Sequence, residues 1–238
     1  MKTALVRLAL TILWLARRAV LPIALAAPGA LAAAATGAVT MRSYAGETIS
    51  AAAVWHPDSG FFARFYARCD RRQGAEFDAC FAAAMAAAGA PKAALDFTRR
   101  LDNEGYLQAL APTGGPVAVA HVSYPFRANE NDAWLLVNGL PPLIDVDDPH
   151  YLSLDRLDAL PAYAAIRAHY PNADFWPDDR SAGGLEISRD GREIIVGYLL
   201  RDLCHACAIV GRVRFGFDFA ASGKFLGTRL VAVTPGGG

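Results

Sequence analysis

Residues 212–219, Arg-Val-Arg-Phe-Gly-Phe-Asp-Phe, alternate between polar or small side chains and large apolar ones. Such alternation places Val213 and the three phenylalanines on one face of a β-strand and leaves the other face open. A turn is predicted at Ala220-Ala-Ser-Gly223, and a second strand from Lys224 to Val233. This hairpin is typical of an antiparallel sheet that packs one face on a core.

Two more hairpins are predicted upstream. Asn138-Gly139 is the strongest signal for a two-residue hairpin turn, and a second turn is predicted at Asp190-Gly191. The strands assigned to this part of the chain are residues 117–124, 134–137, 143–146, 185–188 and 193–200.

The segment before these strands has helical periodicity. Phe61 to Cys69 carry aromatic and apolar side chains at helical spacing, with Asp58 or Ser59 as the expected N-cap. A second helix has an apolar stripe of Phe77, Cys80, Phe81, Ala84, Met85 and Ala88, and ends at Gly89. Pro91 is expected to open a third helix that runs to about Leu101. The aromatic residues of these helices are interpreted as core.

Helices followed by hairpins indicate the α+β class rather than alternating β-α-β units. We expect N-terminal helices (about 58–101) packed on an antiparallel sheet built from hairpins (about 105–233). One helical insertion, residues 153–169, is interrupted at Pro161.

The front of the chain has the three parts of a secretory signal. Basic residues end in Arg17-Arg18, a short apolar run follows, and Ala30-Leu-Ala32 is a small-x-small cleavage site. Pro22 and Pro28 interrupt the apolar run, which argues against a transmembrane helix. We therefore predict a signal peptide over residues 1–32 and one α+β domain over 33–238, in the periplasm or secreted. Export by the general or by the twin-arginine route stays open.

The charge of the predicted mature chain is mildly acidic. The whole chain has 23 basic and 23 acidic residues, and four basic ones, Lys2, Arg7, Arg17 and Arg18, precede the predicted cleavage site. Removing them leaves 19 basic residues against 23 acidic ones, a net charge of −4. Nucleic acid is therefore not an expected partner, because its binders carry a basic patch. Stable membrane insertion after signal removal is not expected either.

Four cysteines form two local pairs. Cys69 and Cys80 lie on the apolar stripes of two consecutive helices, and we predict a disulfide between them because exported proteins oxidise their cysteines. Cys204 and Cys207 form a C-x-x-C between two predicted strands, where a structural disulfide is the favoured interpretation.

Cys204-His-Ala-Cys207 is also compatible with other kinds of site. Covalent haem attachment needs His at residue 208, which is Ala. A zinc site lacks further ligands at suitable spacing, so no metal and no cofactor are expected. A thiol–disulfide oxidoreductase that uses Cys204 and Cys207 remains the alternative, although that chemistry favours a helix N-terminus. A purely structural envelope protein is another alternative.

The stretch Asp145-Val-Asp147-Asp148-Pro-His150 holds clustered carboxylates. Its spacing differs from that of a calcium-binding EF-hand loop, and acidic residues before a proline are usual in solvated turns. We interpret it as a turn.

Residues 185–233 resemble the bacterial periplasmic inhibitors of vertebrate lysozyme. The resemblance is carried by residues 196–200, Cys204-His-Ala-Cys207, residues 212–219 and Phe225-Leu-Gly227, which follow the order strand, Cys-bounded loop with His, and two strands with a Gly in the last. The family has four residues between the cysteines, and this chain has two. The resemblance implies a loop that plugs a lysozyme, with His205 at its tip.

The predicted function is therefore binding rather than catalysis. We expect an exported, disulfide-stabilised envelope protein that binds another macromolecule, with a lysozyme as the candidate partner. The expected binding residues are His205 in the loop, with Arg201 and Asp202 just before it.

Overall fold

The structure is a computed structural model that describes residues 48–70, 72–127, 131–177 and 184–236. These residues all lie within one unit, Met41–Gly238. The predicted signal peptide, residues 1–32, lies outside the described residues. No helix in the described part of the chain is long and apolar enough to cross a membrane.

Three helices come first: α1 (Phe61–Cys69), α2 (Ala75–Ala87) and α3 (Lys92–Arg100). Helix α2 ends as predicted at Gly89, whose φ is +81°, and its last carbonyls accept from the amides of Gly89 and Ala90. The predicted N-cap of α1 is wrong. Gly60 occupies that position, and the Asp58 carboxylate instead accepts from the Gly60 amide and the Arg64 guanidinium.

Sheet 1 is an antiparallel meander of four strands in chain order: β1 (Tyr106–Pro112), β2 (Ala118–Ser123), β3 (Asp132–Val137) and β4 (Leu143–Asp145). The predicted β3–β4 hairpin is present, but its two-residue turn is wrong. Residues 138–142 form the connection, because Pro141 and Pro142 have no amide to donate to a ladder. The Asn138 side chain instead exchanges two hydrogen bonds with the backbone of Ile49.

The predicted helical insertion is present as two short helices, α4 (Asp155–Asp158) and α5 (Pro161–His169). Pro161 is the first residue of α5, where the missing amide costs no helical hydrogen bond.

Sheet 2 contains β5 (Ala173–Pro177), β6 (Leu185–Ile187), β7 (Glu193–Asp202), β8 (Ile209–Phe219) and β9 (Phe225–Pro235), all antiparallel. Strands β5 and β6 pair with successive parts of the same edge of β7. The β6–β7 and β8–β9 hairpins are as predicted. The α+β class is thus confirmed, with the strands divided between two sheets.

The largest core lies between the sheets. Val213, Phe215, Phe217 and Phe219 are fully or almost fully buried, as their alternation predicts. They pack with the alternate β7 residues, with residues of sheet 1 and with α4 and α5, namely Ile194, Val196, Tyr198, Leu200, Val119, Leu136, Ile144, Leu157, Tyr163 and Ile166. We call the buried face of sheet 2 its inner face and the opposite face its outer face.

The other face of sheet 1 is also buried. Helix α3 contributes Phe97 to a cluster with alternate residues of β2 and β3, including Ala120 and Leu135. Helices α1 and α2 form a third cluster, in which Cys69 and Cys80 are joined by the predicted disulfide.

Turns of the two sheets are in direct contact. In the β1–β2 loop, the Thr113 hydroxyl donates to the carbonyl of Val117 and lies 3.2 Å from that of Gly191 in the β6–β7 turn. A Cβ atom added to Gly191 would lie 2.3 Å from the Gly115 nitrogen, so this contact requires glycine. A second junction joins Leu140 to Gly223 by a backbone hydrogen bond of 2.8 Å.

Candidate functional site

The Cys204–Cys207 loop is the tip of the long β7–β8 hairpin. The flanking strands have 10 and 11 residues, and a bulge next to Leu200 and Arg201 ends their regular pairing. Residues 203–208 connect them, closed by hydrogen bonds from the Asp202 amide to the Ala208 carbonyl and from the Cys207 amide to the Cys204 carbonyl. The rigid inner-face packing of both strands therefore holds a short, exposed loop.

The predicted Cys204–Cys207 disulfide is present, with the two Cα atoms 5.0 Å apart. Cys204 is exposed and Cys207 is partly buried. The pair lies between two strands, and residues 203–207 form bends and turns. A thiol–disulfide oxidoreductase instead uses a helix N-terminus to stabilise its thiolate.

Leu203 is an apolar residue in an unusual backbone conformation. Its φ is +79°, and the Cys204 amide donates to the Asp202 carbonyl across it, which is the pattern of a γ-turn with positive φ. A branched side chain strains this conformation, by about 1–3 kcal/mol. Leu203 is also 68% exposed, so burial of its side chain within this protein does not offset the free-energy cost of the strain.

His205 is exposed, as predicted, but it does not stand free of the sheet. Its ring packs edge to face on the indole of Trp176, with ring centroids 5.3 Å apart. Trp176 belongs to β5, which neither the sequence pattern nor the resemblance predicted. The adjacent aromatic pair Phe175-Trp176 before a proline was the available signal for this short strand.

Arg201 and Asp202 lie at the base of the loop and are partly buried. The Arg201 Nη1 donates to the carbonyl of Cys207 at 2.9 Å, which ties the β7 end of the hairpin to the disulfide. Asp202 acts through its backbone, which donates to Ala208 and accepts from Cys204. The structure therefore brings all three predicted binding residues to one loop, where two of them hold its shape.

The outer face of sheet 2 continues from the loop. Leu199 lies on this face, between Trp176 of β5 and Arg212 of β8 in register, and it is only 2% exposed. Arg214 forms an ion pair of 2.6 Å with Glu186.

At the far end of this face, Arg229 pairs with Glu193 and lies 3.9 Å from Asp218. Burial and the nearby Glu193 raise the pKa of Asp218, whereas Arg229 lowers it. On the part of this face that is distant from the loop, the charged side chains are therefore largely engaged in ion pairs.

The acidic stretch forms a turn, as predicted. Asp145 accepts from the amide of Asp147, and Asp148 accepts from the amide of His150. Burial, with a smaller contribution from Asp145, raises the pKa of the nearby Tyr124 hydroxyl. Within residues 48–70, 72–127, 131–177 and 184–236, no group of three or more His, Cys, Asp or Glu side chains is placed to hold a metal ion.

Comparison with known proteins gives no assignment: no family model, curated protein or solved structure matches the chain.

Proposed function

We propose that this protein is exported and binds another protein through the Cys204–Cys207 loop, and that the partner is a lysozyme. Export is supported by the signal-like front of the chain and by two disulfides, which persist in oxidising compartments. The periplasm or the exterior of the cell is the corresponding location.

The observation that carries the binding proposal is Leu203. A strained backbone, an apolar side chain that is 68% exposed and a covalent ring directly after it occur together at the end of a hairpin. Strain of this kind persists where the surrounding structure over-determines it, and it clusters at sites that act on other molecules. A loop fixed in this way loses little conformational entropy on docking.

The chemistry of the loop suits the cleft of a glycosidase. Two carboxyl groups flank the scissile bond in such enzymes, and an imidazole such as that of His205 can donate to one acceptor and accept from another donor. The resemblance of residues 185–233 to the lysozyme inhibitors supports the same partner. The net charge of −4 of the predicted mature chain favours encounter with a basic lysozyme.

Inhibition kinetics test this proposal. The purified mature protein is expected to inhibit a lysozyme, and His205→Ala to weaken inhibition by about 2 kcal/mol, or roughly 30-fold, the scale of an interface hot spot. His56→Ala is the matched control, because His56 is also exposed but precedes α1. Failure to inhibit any lysozyme class at micromolar protein would refute the lysozyme proposal.

A further inference from the structure

Two side-chain N–H groups next to the Cys204–Cys207 loop are buried without an acceptor. Within the described part of the chain, neither the indole Nε1 of Trp176 nor the guanidinium Nε of Arg201 has a hydrogen-bond partner. Most buried polar groups in folded proteins are paired, because an unpaired donor gives up its hydrogen bonds to water without replacement. Two such donors in one place call for an explanation.

The two donors belong to one site. Trp176 pairs with Leu199, and Arg201 pairs with Asp174, so Trp176 and Arg201 are diagonal neighbours on the outer face of sheet 2. Each side chain is also held from its other side. Arg201 Nη1 is bonded to the Cys207 carbonyl, and the Trp176 ring contacts the ring of His205.

We propose that Trp176 Nε1 and Arg201 Nε bind a carboxylate and, resting on the proposed function, that this carboxylate is an acidic side chain of the protein partner. Indole and guanidinium N–H groups donate and cannot accept, so the ligand must supply acceptors. A carboxylate supplies two oxygens, one for each donor, and its charge complements that of Arg201. A single carbonyl oxygen could also accept from both donors through its two lone pairs, but it carries no charge to complement that of Arg201.

The ligand reaches these nitrogens by displacing His205. Both nitrogens are buried in the free protein, and the His205 ring lies against Trp176 while being exposed to solvent. In this proposal the ring moves away from the indole, and the hydrogen bond between Arg201 and Cys207, which does not involve His205, is kept. The imidazole is thus a cover for the carboxylate site, and it becomes available for its own contacts when the site fills.

Nitrogen-15 NMR of the mature protein tests the site directly, with acetate as the probe and chloride at matched ionic strength as the control. Acetate is expected to shift the indole N–H signal of Trp176 and the Nε–H signal of Arg201 together, along one saturable curve. The indole signals of Trp55 and Trp134 serve as internal controls and are expected to stay in place. Equal shifts with acetate and chloride, or shifts that never saturate, would overturn the proposal.

Two variants sharpen the test. Trp176→Phe is expected to abolish the saturable shift of the Arg201 signal, while the amide spectrum reports whether the fold is kept. His205→Ala is expected to tighten acetate binding at least threefold, because it removes the cover. Weaker or unchanged acetate binding in His205→Ala would contradict the displacement of His205.

The outcomes separate this site from the proposed function, because the NMR assay contains no partner protein. Acetate binding without lysozyme inhibition would support the carboxylate site and refute the lysozyme partner. Lysozyme inhibition without acetate binding would refute the carboxylate site and leave the proposed function standing.

Discussion

Leu203 combines two properties that rarely coincide at one residue, a positive φ and a large exposed apolar side chain. Glycine adopts this conformation without the clash that Cβ introduces. The side chain is mostly exposed, so it contributes little burial to the stability of the free protein. This contrast leads to a stability prediction.

We expect Leu203→Gly to cost less stability than the same change at an ordinary exposed leucine. Leu226 in β9 is the matched control, since it is 63% exposed. Relief of strain at residue 203 is expected to make the Leu203→Gly protein more stable than the Leu226→Gly protein by about 1–2 kcal/mol. Urea unfolding of both variants measures the difference, and equal stabilities would mean that Leu203 is unstrained.

Asp190 provides a second prediction for a single residue. Hydrogen bonds from the Ser188 hydroxyl and from Arg192 lower the pKa of its carboxyl to about 2. A carboxyl with a depressed pKa stabilises the fold above its ordinary pKa, and this stabilisation is lost as the pH falls through about 2.

Carbon-13 NMR titration of Asp190 is expected to give a midpoint near 2. Ser188→Ala removes the hydrogen bond that lowers this pKa most and is expected to move the midpoint upward. A wild-type midpoint in the ordinary range for aspartate, near 3.9, would contradict the hydrogen bonds of this turn.

The two disulfides differ in accessibility although each closes a short segment. Cys69 and Cys80 are buried between α1 and α2, whereas Cys204 is exposed at the end of the β7–β8 hairpin. Under mild reducing conditions that preserve the fold, we expect Cys204–Cys207 to be reduced first. Alkylation followed by mass spectrometry identifies the modified cysteines, and earlier modification of Cys69 or Cys80 would contradict the packing of these helices.

The potential of the exposed pair distinguishes a structural bond from a redox-active one. A structural bond is expected below about −300 mV in a titration with dithiothreitol. Reversible cycling at a higher potential would instead favour the thiol–disulfide oxidoreductase alternative.

The Cys69–Cys80 bond is expected to contribute more stability than the Cys204–Cys207 bond. In the chain-entropy model, it closes a longer loop, and its removal costs about 3 kcal/mol against about 2 kcal/mol for the four-residue ring. Urea unfolding of the Cys69→Ala/Cys80→Ala and Cys204→Ala/Cys207→Ala proteins compares them. A larger loss from the loop pair would show that the loop also stabilises the sheet.

At the level of elements, local patterns in the sequence predict most of this fold. Periodicity predicts α1 to α3 and the hairpins of sheet 2, since each depends on neighbours within a few residues. Strand β5 escapes prediction because it is short, ends at a proline and pairs with β7 more than 20 residues later. In the β3–β4 connection, Pro141 and Pro142 were a local signal against a two-residue turn. The hydrogen bonds between Asn138 and Ile49 could not be predicted, because these residues are distant in sequence.

The candidate site could likewise be predicted only where it depends on residues that are close in sequence. The C-x-x-C, His205 and Arg201 are visible in one short stretch of sequence, and the loop between strands follows from their neighbours. The contact between His205 and Trp176 depends on the pairing of β5 with β7, which no local pattern encodes. The division of the strands into two sheets could not be predicted either, because it also depends on contacts between residues that are distant in sequence.

For the molecule as a whole, the contacts between turns of the two sheets are sensitive to substitution. Gly191 has φ +64° and also meets the backbone of Gly115, whereas Gly114 has φ +79° and open space where a Cβ would lie. Both alanine substitutions incur the cost of positive φ, but Gly191→Ala also forces the turns apart. We expect Gly191→Ala to be less stable than Gly114→Ala by about 2 kcal/mol or more.

Thermal or urea unfolding of the two alanine variants provides the comparison. Equal losses would indicate that the two turns separate freely and that the junction contributes nothing to holding the sheets together.

The disulfide ring at the hairpin tip encloses His205 and Ala206, and both residues are exposed and belong to none of the three buried clusters described above. Apart from the contact between His205 and Trp176, substitutions at these two positions are expected to leave the strands, the disulfide and the core in place. If the tip binds a partner as proposed, evolution can retarget the protein through two codons, and a laboratory can do the same with a small randomised library displayed on this scaffold. The specificity of the tip would then be inherited separately from the fold.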